Sequence, residues 1–225
     1  MAHVITGISR PDRKLIEAYR GLGAATVYEA AGRVGSVHPA IKPLARGVRL
    51  LGPAVTVRCH PRDNLMLHKA LQIAQEGDIL VAATEGYPDA GYWGGLMATS
   101  AMARKLGGLA IDGCVRDSEE IVQMGFPVFC RGTCIRGTTK GILGTVNLPI
   151  LFGEVVVNPG DLVLGDDDGL VIVAQADIER VLTASQKRVE NEKQKSAALA
   201  AGTSSVELNK LEPVLRSLGM VEKVG

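Results

Sequence analysis

The chain has 225 residues, enough for one large domain or two small ones, and its 46% hydrophobic content closes a substantial core. Its 25 Lys and Arg nearly cancel 24 Asp and Glu, which disfavours nucleic acid, another polyanion or an anionic membrane surface as partner. Four cysteines, at 59, 114, 130 and 134, match no paired CxxC site and read as free thiols. No apolar run approaches the roughly 18 residues that span a bilayer, and the N-terminus lacks signal-peptide order, so a soluble cytoplasmic protein is expected.

In chain order, "SRPDRKLIEAYRGLG" predicts a helix with Ser9 as N-cap, Pro11 early, and Leu15, Ile16 and Tyr19 on one face; "AATVYEAAG" predicts a second, short helix. The Val- and Leu-rich "GVRLLGPAVTVRCHP" reads as a strand buried on both faces. "NLMLHKALQIAQEGDILVAAT" then gives helix, turn and strand. Next come a helix in "GGLMATSAMARKLGG", a strand in "LAIDGCV", a helix in "RDSEEIVQMG" and a strand in "PVFCRG", an α/β alternation. Residues 138–173 turn β-rich, with Pro-Gly and Asp-Gly turns. "DIERVLTASQKRVENEKQKSAALAAG" is a long amphipathic helix ending at Gly202, long enough to reach a second subunit. No linker divides the chain, so a single domain, 1–225, is expected.

Among candidate sites, the helix start at Gly94 and Gly95 offers free amides and a dipole to an anion, although neither GxGxxG nor GxxxxGK[ST] is present. His68 reads as a boundary residue of an apolar helix, and His3, His38 and His60 belong to no motif. "GDDDG", 165–169, lacks calcium-loop spacing and reads as a solvated hairpin turn. The densest charge group is Asp112, Arg116, Asp117, Glu119 and Glu120. Asp117 or Ser118 as N-cap, with Glu119 and Glu120 in the first turn, explains the acids. Arg116 is unexplained by capping: a cation beside a helix N-terminus calls for an anionic ligand or a carboxylate partner.

"GYWGGLMATSAMARKLGGLAIDGCVRDSEEI" resembles the metal-dependent pyruvate aldolases that cleave 4-hydroxy-4-methyl-2-oxoglutarate and 4-carboxy-4-hydroxy-2-oxoadipate, and their relatives named as regulators of ribonuclease E activity. Their pattern, G-x3-D-x20-R-D-x2-E/D, runs here from Gly91 through Gly95 to Arg116, Asp117 and Glu120, with Gly95 where the pattern has Asp. Similarity extends through "GVRLLGPAVTV", "GDILV", "FPVFCRG", "VNPGDLVLGDDDGLVIV" and the "ENEK" helix.

The resemblance implies an α/β fold of layered α-β-β-α type with a long C-terminal helix, assembled as homotrimers or homohexamers with active sites between subunits. It implies Mg²⁺ or Mn²⁺ held directly by Asp117, and pyruvate held by Arg116 and the amides around Gly94, Gly95 and Leu96. Glu120 steers water, and Glu192 joins it from the neighbouring subunit. The implied reaction splits a 4-hydroxy-2-oxo acid through a metal-stabilised enolate, with oxaloacetate decarboxylation as a side activity. With Gly95 in place of Asp, proton relay falls to Asp112, Glu120 or a substrate carboxylate. The rival expectation is a non-catalytic protein that restrains a ribonuclease; a methyltransferase is disfavoured because no Gly-rich nucleotide loop is present.

Overall fold

The structure, a computed structural model, describes residues 2–223. Its strands are β1 (Lys42–Pro43), β2 (Leu50–Arg58), β3 (Ile79–Ala83), β4 (Gly91–Trp93), β5 (Gly108–Asp112), β6 (Cys114–Val115), β7 (Val128–Cys130), β8 (Gly132–Thr133), β9 (Thr145–Val146), β10 (Ile150–Phe152), β11 (Val155–Val157), β12 (Leu162–Asp166) and β13 (Gly169–Val173). The helices are α1 (Arg13–Glu17), α2 (Ala24–Ala30), α3 (Leu65–Ile73), α4 (Gly95–Ala103), α5 (Ser118–Met124), α6 (Ile178–Ala200), α7 (Ser205–Leu208) and α8 (Glu212–Ser217).

One mixed sheet runs β1-β7-β5-β3-β2-β12-β13, with β9 also paired to β2. The neighbours β2, β3, β5 and β7 are parallel, and β12 returns antiparallel to β2. The sheet curls nearly closed. Lys42 on β1 reaches the far edge, where its ammonium donates to the Asp168 carbonyl in the turn after β12, at 2.5 Å.

Side-chain alternation sorts the strands into layers. Leu80, Ala82, Leu109 and Ile111 face α3 and α4, packing on Leu67, Ala70, Ala98 and Ala101. On the opposite face, Ile79, Val81 and Ala110 meet Phe152 of β10 and Val163 of β12. Leu162, Leu164 and Val171 then turn outward onto Val27 of α2 and Ile178 and Val181 of α6. The result is the expected α-β-β-α layering. All five residues of β3 are buried, which is why it reads as an unbroken apolar run.

The first helix is a correction. It starts at Arg13, with Asp12 as N-cap accepting the Lys14 N–H at 2.7 Å, and ends at Glu17, so Tyr19 lies beyond it. Pro11 disfavours helical backbone at the residue before it, which moves the start downstream to a cap as good as serine. Ser9 instead accepts from Gln175 Nε2 at 3.1 Å. The acidic turn is also more than solvated: Asp166 caps α2 through the Ala24 N–H at 2.8 Å, and Asp167 accepts the Gly47 N–H at 2.8 Å. In α6 only Ile178, Val181 and Ser185 are buried, so its second half stands clear of the body. No helix among the described residues is long and apolar enough to cross a membrane.

Candidate active site

Three parallel strands break and restart before they end. β3, β5 and β7 lie side by side in the large sheet; β6 and β8 follow β5 and β7 after a one-residue break, β4 follows β3 after the loop 84–90, and the three form a second parallel sheet in the same lateral order. The ladder extends past it: Arg116 N–H donates to Trp93 O and Cys134 N–H to Val115 O, each at 2.8 Å. Gly94, Arg116 and Cys134 therefore meet at the carboxyl edge of one small sheet, the end at which open α/β sheets bind ligands. Trp93 stacks on Phe126, ring centroids 5.8 Å apart, and ties β4 to the chain just after α5.

Two glycines open this edge. A Cβ on Gly94 would lie 2.5 Å from Asp117 Oδ2, and one on Gly95 would lie 2.1 Å from Glu120 Oε2. Each carboxylate occupies space that any side chain there would take. Asp117 is the N-cap of α5 by position but makes no capping bond to it. Its backbone is left-handed, φ 54° and ψ 38°, and its Oδ2 accepts the Gly95 N–H at 3.1 Å, turned from its own helix toward α4. Left-handed backbone costs a non-glycine residue energy, least for Asp and Asn, and such strain concentrates at functional sites.

The Arg116 side chain crosses the bare faces of Gly91 and Gly94, where Cβ atoms would come within 3.0 Å of its Cβ and 3.1 Å of its Nε. Its Nε stands 3.6 Å from Asp117 Oδ2, with both side chains nearly half exposed, a pair that contributes little to stability. Arg116 and Asp117 line a cavity of about 200 Å³ together with Asn64, His68, Leu96 and Lys140. On the far side, a second hollow of about 350 Å³ lies between them and Cys134 and Ile135.

Sequence reasoning missed Asn64 and Lys140 and discounted His68. They come from α3 and from the loop before β9, far from the motif, so no local pattern marks them. Asn64 Nδ2 donates to Tyr92 O at 2.8 Å while its buried Oδ1 has no partner, an acceptor open to a ligand or a water. Partial burial, and secondarily the Lys140 charge, lower the His68 pKa, keeping the ring neutral near pH 7.

Asp63 holds the Lys140 loop in place. It is buried, and it accepts from Thr139 Oγ1 at 2.9 Å and from the Gly141 and Ile142 N–H groups at 2.6 and 3.2 Å. Burial alone would raise its pKa, but these donors and the Leu65 N–H outweigh it, and the net shift is downward. A carboxyl with a depressed folded pKa stabilises above its unfolded pKa and loses that contribution as pH falls through the folded value. The loop is therefore expected to loosen below about pH 4. Asp63→Ala should cost about 3 kcal/mol, lowering the melting temperature by roughly 6–12 °C, as read by calorimetry.

The other candidates fall outside this cavity. Asp112 is engaged by Arg131 Nε and by the Gly153 N–H at 3.2 Å. Glu119 accepts from Gln123 Nε2 at 3.2 Å. Glu192 lies on the exposed half of α6, 2.7 Å from Arg188 Nε, along a groove of about 550 Å³. That groove is larger but open and lined by charged helix residues, and it shares none of its lining with the Arg116 cavity. Within one chain, Glu192 is not brought to Arg116. Among the described residues, no three His, Cys, Asp or Glu side chains converge as a metal cluster.

The family described as RraA-like, Aldolase/RraA, matches residues 24–172, which span both glycines, Arg116 and Asp117. A Halalkalibacterium halodurans protein named "Putative 4-hydroxy-4-methyl-2-oxoglutarate aldolase" is 29% identical over 199 residues, 88% of this chain and 95% of that one. An uncharacterized Methanocaldococcus jannaschii protein is 32% identical over 155 residues, 68% of this chain and 74% of that one. Among solved structures, Streptomyces coelicolor RraAS2, described as an unusual member of the RNase ES inhibitor RraA protein family, superposes with a TM-score of 0.77 at 26% identity. The superposition covers 84% of this chain and 99% of that one. With the match running from α2 to β13 and the fold shared over 84% of its length, this chain belongs to the RraA-like family.

Proposed function

We propose that the chain is a divalent-metal-dependent aldolase. It cleaves 4-hydroxy-4-methyl-2-oxoglutarate or 4-carboxy-4-hydroxy-2-oxoadipate to pyruvate and a second keto acid, and decarboxylates oxaloacetate as a side activity. The observation that carries this reading is Asp117: strained, unused by its own helix and turned with Arg116 to a cavity at the carboxyl edge of a parallel sheet. The name of the H. halodurans relative supports the same chemistry.

The donor set fits a hard cation. A single partly exposed carboxylate, with no converging thiol or imidazole cluster among the described residues, suits Mg²⁺ or Mn²⁺, which retain several waters. Asp117 would hold it, and when bound it supplies Lewis-acid stabilisation of the charge that develops on the 2-keto oxygen. Arg116 adds a fixed cation beside that oxygen and clamps the keto acid. The Leu96 N–H, free of backbone partners in the first turn of α4, is the amide available for the substrate carboxylate, since Gly95 already donates to Asp117. Lys140, across the cavity, faces the remaining carboxylate of a dianionic substrate.

We read the chain as one functional domain, acting in the cytoplasm as a homotrimer or homohexamer. Leu96 and Ile135 are 86% and 95% exposed at the mouth of the site, and the outer half of α6 carries no buried residue, which supports a second copy closing the site and delivering Glu192. Pyruvate release from 4-hydroxy-4-methyl-2-oxoglutarate and from oxaloacetate should require Mg²⁺ or Mn²⁺ and stop with EDTA. No release of pyruvate under any metal, together with capture of a ribonuclease by the purified chain, would replace this reading with the regulator.

A further inference from the structure

Aldol cleavage needs a group that accepts the C4 hydroxyl proton, a demand that decarboxylation of oxaloacetate does not make. Four carboxylates belong to the charge group around Arg116 in the sequence, of which Asp117 lines the cavity itself, and three are occupied. Asp112 is held by Arg131 and the Gly153 N–H, Glu119 accepts from Gln123, and Asp117 accepts from Gly95 and faces Arg116. Glu120 has neither a hydrogen bond nor an ion pair among the described residues. Its carboxylate lies against the backbone of Gly95, both oxygens and Cδ within 2.8 Å of where a Cβ would stand. Gly95 is also the one position at which the sequence departs from the aldolase pattern.

We propose that Glu120 is the proton acceptor of the aldol reaction and that Gly95 is its positioning residue, the bare backbone on which the carboxylate rests; this rests on the aldolase reading above. The C4 hydroxyl proton passes to the Glu120 carboxylate as the C4 carbonyl forms. The electron pair of the breaking C3–C4 bond stays on the pyruvate fragment as its enolate. Glu120 then returns the proton to C3, giving the methyl group and regenerating the carboxylate, so no oxidant or further reactant is needed. A methyl group at 95 displaces only the end of a flexible exposed side chain, so the fold survives while the carboxylate swings away.

The test compares kcat for cleavage of 4-hydroxy-4-methyl-2-oxoglutarate with kcat for oxaloacetate decarboxylation in the full chain, in Glu120→Gln, in Gly95→Ala and in the double variant. Each single change is expected to lower cleavage about 10²-fold and decarboxylation far less, with the acid limb of the cleavage pH profile lost in Glu120→Gln. In the double variant the Gly95→Ala effect should vanish, because the group it displaces is already gone. Equal losses in both reactions, additive losses in the double variant, or wild-type decarboxylation without cleavage would each overturn the proposal and leave the metal site standing. Wild type that neither decarboxylates nor binds Mn²⁺ by EPR titration would remove the aldolase reading itself.

Discussion

Asp117→Asn is expected to lower pyruvate release about 10³-fold on either substrate and to abolish saturable Mn²⁺ binding, with the melting temperature unchanged within about 3 °C. Asparagine tolerates the left-handed backbone of position 117 as well as aspartate does, and its amide oxygen still accepts the Gly95 N–H. What it lacks is the full negative charge that a hard cation requires. The Arg116 contact it weakens is 3.6 Å long between half-exposed groups and holds little stability. Loss of activity and metal binding with an unmoved melting temperature separates a ligand from a structural N-cap. A fully active Asp117→Asn, or a variant that unfolds, would show that the residue serves the fold.

Much of this arrangement is legible in the chain because it is local. The runs in β2, β3 and β5 are continuous and apolar because both faces are covered, and α3, α4 and α6 show helical spacing or length. The motif glycines and the Arg-Asp pair are local too. The two-residue strands β1, β6, β8 and β9 escaped because nothing in two residues specifies pairing; distant backbone ladders do. Asn64, His68 and Lys140 were out of reach for the same reason. The Asp63 bonds to Thr139, Gly141 and Ile142, with the backbone bonds of Arg62 and Asn64 to Thr139, bring that loop to the cavity across more than 70 residues. The fit of two carboxylates over Gly94 and Gly95 is likewise a fact of packing. In the sequence the Gly pair offers only helix amides, and one of those is already taken by Asp117.

Arg116→Lys is expected to lower kcat about 10²- to 10³-fold for both cleavage and decarboxylation, because both pass through charge on the same keto oxygen. The guanidinium has a built path: its stem lies over Gly91 and Gly94, and its Nη1 reaches to 3.8 Å from the Cβ position of Gly137. A lysine placed on that path ends in a single point charge, without the planar fork that grips a keto acid through two parallel bonds. Because Arg116 holds substrate rather than the cation, Mn²⁺ binding by Arg116→Lys should stay within about threefold of wild type, the reverse of the Asp117→Asn pattern. Added guanidinium should recover part of the activity of Arg116→Ala, since the two glycine faces leave the vacated space open to it. If instead Arg116→Lys keeps full kcat, or loses metal and substrate binding together, the division of labour between positions 116 and 117 is wrong, even if the cavity is the active site.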